Sequence, residues 1–462
     1  MDKLALLQQR RAKVLDAGTE IRKQISSLVD EESFVELSGF SFSKSDFYNA
    51  DAEGEGVVTG FATIEGYPVY IAAQNFAVLH GGMSTASCAK ILRCLKLAEK
   101  NSTPIVYILH SLGVQVGEGV TVLEGMASLL AESARLHGVV PQFTVINGEV
   151  YGQSALLAAC SDFVFFLKEG VLAPDSPLVI AAKSGVNIPK EQVGGAAALS
   201  GTNVVSFTAS GMKDVHGTIS KILDCIPAFS ASVVETGVNL NAAFPELDKS
   251  CTADALIKAV FDPGTMVEFD KICCPEVRCC IGRAGGIGIA AVVFDGETGV
   301  ELTAQNIEKI TSLVQFASYY DIPFVSFVNT VGIRADLTTN NSLVLRGIFR
   351  LIESYELLDN AKIAIVYKQA IGVGYTLFAA KNIGFDYVYA FANAKIALFS
   401  DVKGAQIEFS EEKDADREAL AARYADENAD PINAAKGGYV DNIIDPACVK
   451  QYLVASLQML LK

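Results

Sequence analysis

An α/β protein made of two tandem copies of one domain is predicted by three observations. Long apolar runs such as Ile105-Val106-Tyr107-Ile108-Leu109 lack polar alternation, which marks strands buried on both faces of a sheet. Stretches of helical spacing separate these runs, the arrangement that lays helices over a largely parallel sheet. The pattern also repeats: residues 103–113, opened by Thr103-Pro104, return as 322–332, opened by Ile322-Pro323, and residues 143–159 return as 363–379. Pro104 and Pro323 lie 219 residues apart and Gly152 and Gly372 lie 220 apart, so two independent matches share nearly one spacing.

The elements follow in order. Leu4, Leu7, Val14, Ile21, Ile25 and Leu28 recur at roughly helical spacing with basic residues between them, which predicts an amphipathic leading helix. Two β-rich runs, 56–64 and 67–73, are joined by Glu65-Gly66 and predict a hairpin, echoed at 282–293. Each copy then reads as helix, Pro-started buried strand, Gly turn, helix, strand, Gly turn, helix and a short β run (163–167 and 387–391). The copies are expected to meet near residues 241–255, giving domains 1–250 and 251–462. The polar stretch 411–430 is expected to be a solvated helix and loop.

Composition narrows the function. At 462 residues the chain exceeds one ordinary core, and with 50% hydrophobic and 19% charged residues it is globular. The formal net charge of −16 repels a phosphate backbone, so nucleic acid is not an expected partner. Arg10, Arg11 and Lys13 interrupt any apolar signal core, and Gly, Ser, Thr and Asn dilute the charge-poor stretch 192–212, so a soluble cytoplasmic protein is expected. Ten cysteines in apolar or helical contexts read as reduced thiols.

The chemistry-bearing candidates are turns. Ser111-Leu112-Gly113, Tyr151-Gly152-Gln153, Thr330-Val331-Gly332 and Ile371-Gly372-Val373-Gly374 each end a strand before a helix, where exposed backbone amides can hold a developing oxyanion. Other chemistries fit less well. Four histidines leave few general acid–base groups, and His110-Ser111 face opposite sides of a strand end, wrong for a Ser–His dyad. Gly152-Gln153-Ser154-Ala155-Leu156 lacks the last glycine of a nucleophile elbow. Cys273-Cys274 and Cys279-Cys280 are adjacent pairs, which in extended chain face opposite ways and suit buried strand starts better than zinc. Gly286-Ile287-Gly288 runs on into a strand, not the helix a dinucleotide fingerprint requires.

Several segments in order resemble the carboxyltransferase subunits of biotin-dependent acyl-CoA carboxylases and decarboxylases. They are Ser33-Phe34-Val35-Glu36-Leu37, Gly56-Val57-Val58-Thr59-Gly60, Ser161-Asp162-Phe163-Val164-Phe165, Lys403-Gly404-Ala405, and Ala434-Ala435-Lys436-Gly437-Gly438-Tyr439-Val440-Asp441 followed by Ile444-Asp445-Pro446-Ala447. The resemblance implies two crotonase-like domains and a reaction in which carboxybiotin and an acyl-CoA meet in a cleft and carboxyl transfer passes through a thioester enolate. It implies two backbone oxyanion holes, the first on Leu112 and Gly113 and the second on Val373 and Gly374, with Gly152, Gln153, Gly332 and Gly372 lining the substrate. Gly81-Gly82 and Lys90 on the following helix are candidates for the CoA phosphates. The cofactor implied is biotin on a partner carrier protein, with a coenzyme A thioester as substrate. Implied partners are the biotin carboxyl carrier and a biotin carboxylase or a decarboxylase membrane subunit, in a homo-oligomer, a dimer or a trimer of dimers.

Four turns depart from that family's pattern. Its Asp-Ser-Gly-Gly-Ala-Arg is here His110-Ser111-Leu112-Gly113-Val114-Gln115, its Gly-Gly-Ala-Tyr is Gly372-Val373-Gly374-Tyr375, its Pro-Gly-Phe is Val331-Gly332-Ile333, and its Gly-Gly after the third strand is Gly152-Gln153. A side chain where positive φ is needed costs about 1–2 kcal/mol. Either these residues run at negative φ or the holes are deformed. The leading expectation is an active carboxyltransferase; the alternatives are a catalytically degenerate assembly subunit or another crotonase-fold activity.

Overall fold

The computed structural model describes residues 2–41, 53–231, 233–235, 237–412 and 416–461. They form two compact units, 1–220 and 221–462. The first unit carries strands β1 (Val35–Leu37), β2 (Val57–Ile64), β3 (Tyr67–Gln74), β4 (Ile105–Ser111), β5 (Gln142–Tyr151), β6 (Phe163–Leu167), β7 (Val171–Ala173) and β8 (Phe207–Ala209). The second carries β9 (Val267–Phe269), β10 (Val277–Ala284), β11 (Ile287–Phe294), β12 (Val300–Leu302), β13 (Phe324–Ile333), β14 (Lys362–Ile371), β15 (Tyr387–Phe391), β16 (Lys395–Ala397) and β17 (Asn442–Ile444).

The two sheets repeat one plan. In the first, β1, β2 and β3 pair antiparallel and then β3, β4, β5, β6 and β8 run parallel, with β7 beside the end of β5. In the second, β9, β10 and β11 pair antiparallel and β11, β13, β14, β15 and β17 run parallel, with β12 and β16 beside the ends of β13 and β14. Registers carry the sequence spacing into space: Ile105 pairs with Gln142 as Phe324 pairs with Lys362. Even the irregularity recurs, between Leu109 and Ser111 and between Val328 and Thr330. Ile105 to Leu109 are fully buried, as expected for a strand covered on both faces.

Each hairpin leads to a helix whose start is closed by a reciprocal cap. Ser84 and Ser87 cap Thr85–Asn101, and Thr303 and Asn306 cap Ala304–Tyr319, each pair satisfying two otherwise orphaned amides. Cys88, Ile91, Cys94, Leu95 and Ala98 bury one face of the first helix; each large apolar side chain so removed from water contributes about 1.5–3 kcal/mol.

Two expectations change at this level and a third holds in outline. The leading segment is two helices, Lys3–Ala17 and Thr19–Leu28, broken at Gly18, where an added Cβ would strike the Arg22 guanidinium. The boundary between the units falls at 220/221 and not near 241–255, which belongs to the second unit: it includes the helix Glu246–Lys249, Phe244 N donates to Ala447 O at 2.9 Å, and Leu247 is buried. In 411–430, residues 413–415 lie outside those described, while Arg417–Tyr424 is helical and turns Tyr424 into a small apolar cluster with Ala405 and Phe409.

Candidate active site: paired glycine turns in each unit

In the second unit β14 ends at Gly372, whose φ of 54° and ψ of −122° reverse the chain into the helix Val373–Phe378. Gly372 N donates to Ala397 O at 2.9 Å, which anchors the corner on β16. No side chain caps this helix, so the amides of Val373 and Gly374 have neither an intrahelical acceptor nor a capping one. The end of β13 lies beside them. A Cβ on Gly332, where φ is 94°, would stand 3.4 Å from Ile371 O and 4.0 Å from Val373 N. Thr330 ties that strand end down: its hydroxyl donates to Val300 O at 2.7 Å and accepts from Gly332 N at 3.2 Å.

The first unit repeats the construction. Gly152 has φ 63° and ψ −133°, its amide donates to Pro174 O at 3.1 Å, and the helix Gln153–Ala158 begins without a side-chain cap. The amides of Gln153 and Ser154 are therefore this unit's counterparts of Val373 and Gly374. A Cβ on Gly152 would stand 3.8 Å from Gly113 Cα, so the turns that carry Leu112, Gly113, Gly152 and Gln153 lie side by side. A buried relay beneath them was not anticipated. Gln74 Nε2 donates to Ser154 Oγ (3.2 Å), Ser154 Oγ to Ser111 Oγ (3.1 Å) and Ser111 Oγ to Gly113 O (3.0 Å). The available signal was polar side chains at the ends of otherwise apolar strands.

The altered turns resolve in favour of negative φ. Leu112, Gln153, Val331 and Val373 all lie outside the left-handed region, while the glycine kept in each turn, Gly113, Gly152, Gly332 and Gly372, carries the positive φ. One expectation is corrected. Leu112 N donates to His80 O at 3.3 Å and Gly113 N to Ser111 Oγ at 3.1 Å, so both amides assigned to the first hole already have acceptors.

The phosphate candidates are corrected as well. Lys90 is no surface lysine: it is 4% exposed, and its ammonium donates to Gly54 O at 2.8 Å and to Val57 O. Burial pulls its pKa down to about 8 against the pull of Glu36 and Glu55. At Gly81 an added Cβ would sit 2.0 Å from His110 O, and at Gly82 2.3 Å from Gln115 Nε2, so both glycines permit close packing. The helix start behind them is already engaged, because Thr85 N donates to a Glu118 carboxylate oxygen at 2.7 Å.

Near the first unit's turns, His110 stacks on Phe76 with centroids 3.9 Å apart, and burial lowers its pKa although Glu149 opposes this. Burial would raise the Glu149 carboxyl, but hydrogen bonds from Lys190 and Tyr151 outweigh it and leave the pKa lowered. The His110 ring is thus neutral at pH 7 and Glu149 is ionised and paired. A cavity of about 930 Å³ beside the leading helices is lined by residues including Leu15, Arg22, Phe34 and His216 and by none of the turn residues.

Residues 15–462 match the model of the carboxyl transferase domain family. The chain is 29% identical to the methylmalonyl-CoA decarboxylase subunit alpha of Veillonella parvula, over 99% of this chain and 96% of that one. It is 29% identical to a putative propionyl-CoA carboxylase beta chain of Bacillus subtilis, over 98% and 92%. Its fold matches that of the transcarboxylase 12S subunit, crystallised as a hexamer with methylmalonyl-coenzyme A and methylmalonic acid bound, with a TM-score of 0.92, 24% identity and coverage of 99% and 95%. The duplicated sheets with paired glycine corners are therefore the two-domain crotonase-like architecture that the sequence led one to expect, and this chain belongs to the carboxyl transferase domain family.

Proposed function

We propose that this protein moves a carboxyl group between biotin and an acyl-CoA of the acetyl, propionyl or related class, as the carboxyltransferase subunit of a biotin-dependent carboxylase or decarboxylase. One observation carries the reading: each unit presents two uncapped helix-start amides beside a second glycine at positive φ, Gly113 in one unit and Gly332 in the other. Such donors suit a reaction whose charge develops on oxygen. In the second unit Val373 and Gly374 are the proposed donors; in the first, Gln153 and Ser154 take the role expected of Leu112 and Gly113.

The residues fit both reactants, since the turns offer neutral backbone donors to a thioester carbonyl and to a ureido oxygen. Biotin, delivered on a carrier protein, supplies the nitrogen that holds and releases the carboxyl group. The chain's own part is to orient the thioester and lower the energy of its enolate: fixed amides need no reorganisation as charge builds, and each is worth about 2.7–4 kcal/mol. The Gln74-Ser154-Ser111 relay and Thr330 hold the corners so that these N–H groups stay aimed.

The partners fitting this activity are the carrier and either a biotin carboxylase or a decarboxylase membrane subunit. A homo-oligomer, a dimer or trimer of dimers, accords with the hexamer named for the 12S subunit. Ten cysteines without a disulfide favour the cytoplasm; among the described residues no helix is long and apolar enough to cross a membrane. The test is to incubate the purified protein with malonyl-CoA or methylmalonyl-CoA and free biotin. Biotin-dependent decarboxylation is expected. CoA binding without turnover would indicate an assembly subunit, and biotin-independent hydration or thioester cleavage would indicate another crotonase-fold activity.

A further inference from the structure

The cysteines that the turn chemistry leaves unused carry a separate inference. Between β9 and β10 the chain folds back through Cys273-Cys274-Pro275. Extended backbone would send the two side chains to opposite sides, but Cys274 adopts φ 49°, and this left-handed turn brings both to one side. The thiols are reduced and 3.5 Å apart, Cys273 Sγ donating to Cys274 Sγ. Cys273 is buried and Cys274 is partly exposed, so a reagent from solvent meets Cys274 first.

The loop is held in this shape from below. Lys309 Nζ, itself buried, donates to Asp270 O (2.8 Å), Cys273 O (2.8 Å) and Cys274 O (3.3 Å), fixing both cysteine peptides before any guest arrives. Preorganisation of this kind removes ordering cost from binding. The sulfur separation suits two bonds to one atom: bonds of about 2.3 Å span roughly 3.3 Å at a right angle and roughly 3.8 Å at the tetrahedral angle. The observed distance falls between them, in the range of a pyramidal trivalent centre.

No three His, Cys, Asp or Glu side chains among the described residues converge on a common metal position, so a guest here receives two protein sulfurs and must bring its remaining substituent. Cys279 and Cys280 do not compete, being fully buried and consecutive in β10, where side chains alternate in direction.

We propose that Cys273 and Cys274 form a chelating site for a trivalent thiophile bearing one group of its own, the class of monosubstituted trivalent arsenicals. Two S–As bonds form and two As–OH bonds break. Each thiol proton leaves with a hydroxyl as water, and arsenic stays trivalent. No thiolate has to accumulate, which matters because the Cys273 hydrogen bond and burial hold the Cys274 thiol above its ordinary pKa. The same raised pKa disfavours oxidation through a thiolate.

The test uses the full chain, treated natively with one equivalent of phenylarsine oxide, digested with trypsin and read by mass spectrometry. Cleavage after Lys271 and Arg278 isolates both cysteines in the fragment 272–278 and sends Cys279 and Cys280 into the next. The expected result is one phenylarsenic per chain on 272–278, released by 2,3-dimercaptopropanol, lost in Cys274→Ser and kept in Cys88→Ser. Reagent on another fragment, an adduct surviving in Cys274→Ser, or no adduct on the wild-type chain would each overturn the site. The wild-type mapping stands even if Cys274→Ser folds poorly.

Discussion

Val373 offers the most direct test of the amide reading, because proline is tolerated at the first position of a helix yet has no N–H to give. Val373→Pro is expected to lower kcat roughly 100- to 1000-fold with helix content unchanged, the usual loss for one oxyanion donor. Circular dichroism and steady-state decarboxylation rates check it together. Gly374 is a poorer target, since a Cβ there would press to 2.5 Å of Thr330 Cγ2 and disturb the turn as well as the amide. Lys90 gives a prediction of another kind. Its pKa falls from 10.5 to about 8 on folding. Between those values the unfolded chain holds more protons, so this group makes stability rise with pH; below about 8 the burial penalty is present in full, and above 10.5 it is gone. The rise is roughly 3 kcal/mol at most. The buried Cys88 and Cys94 thiols, raised to about 12 and about 11, act in the opposite direction, so the observable is a difference. Urea denaturation of wild type and Lys90→Met at about pH 7.5 and pH 10 should show the variant gaining less, or losing more, stability with rising pH.

Among the elements, the turn Leu79–Gly81 is the most constrained. Leu79, His80 and Gly81 all have positive φ, at 52°, 53° and 63°, a conformation that side-chain-bearing residues rarely adopt in succession. The turn is held because Gly81 lets His110 O approach and because His80 O receives Leu112 N. Gly81→Ala combines an unfavourable φ with a collision against that carbonyl. It is expected to destabilise the protein by more than about 1–2 kcal/mol, read as a lower urea midpoint at unchanged slope. The duplication also operates at this scale. Lys90 and Lys309 occupy equivalent places on their helices and each donates its ammonium to carbonyls of the segment that leads into its unit's hairpin, Val57 O at the first residue of β2 included. The second loop differs in using Cys273 and Cys274 as acceptors, which creates the thiol pair absent from the first.

At the scale of the molecule, a net charge of −16 repels an acyl-CoA over distances comparable with the Debye length. Raising ionic strength from about 0.01 M to about 0.15 M shortens that length from roughly 30 Å to roughly 8 Å. The KM for acyl-CoA is therefore expected to fall a few-fold with salt while kcat stays level, because the turn amides are neutral and short-ranged. A KM that rises with salt would mean that local cations govern CoA capture and outweigh the overall field.

The sequence by itself determined the order of the hairpin, main strands and helices in each copy, the doubling and the four glycine positions. These follow from local rules: apolar runs, helical spacing, and the freedom of Gly113, Gly152, Gly332 and Gly372 at positive φ. Only the tertiary structure decided which N–H groups at those corners remain without acceptors, since the partner of Leu112 N is His80 O, more than thirty positions away in the chain. It likewise decided that Lys90 points inward and that Cys273 and Cys274 face each other across one turn. Backbone preference is set by neighbours in sequence, whereas hydrogen-bond satisfaction and burial are set by neighbours in space, and a strand register must exist before either can be read.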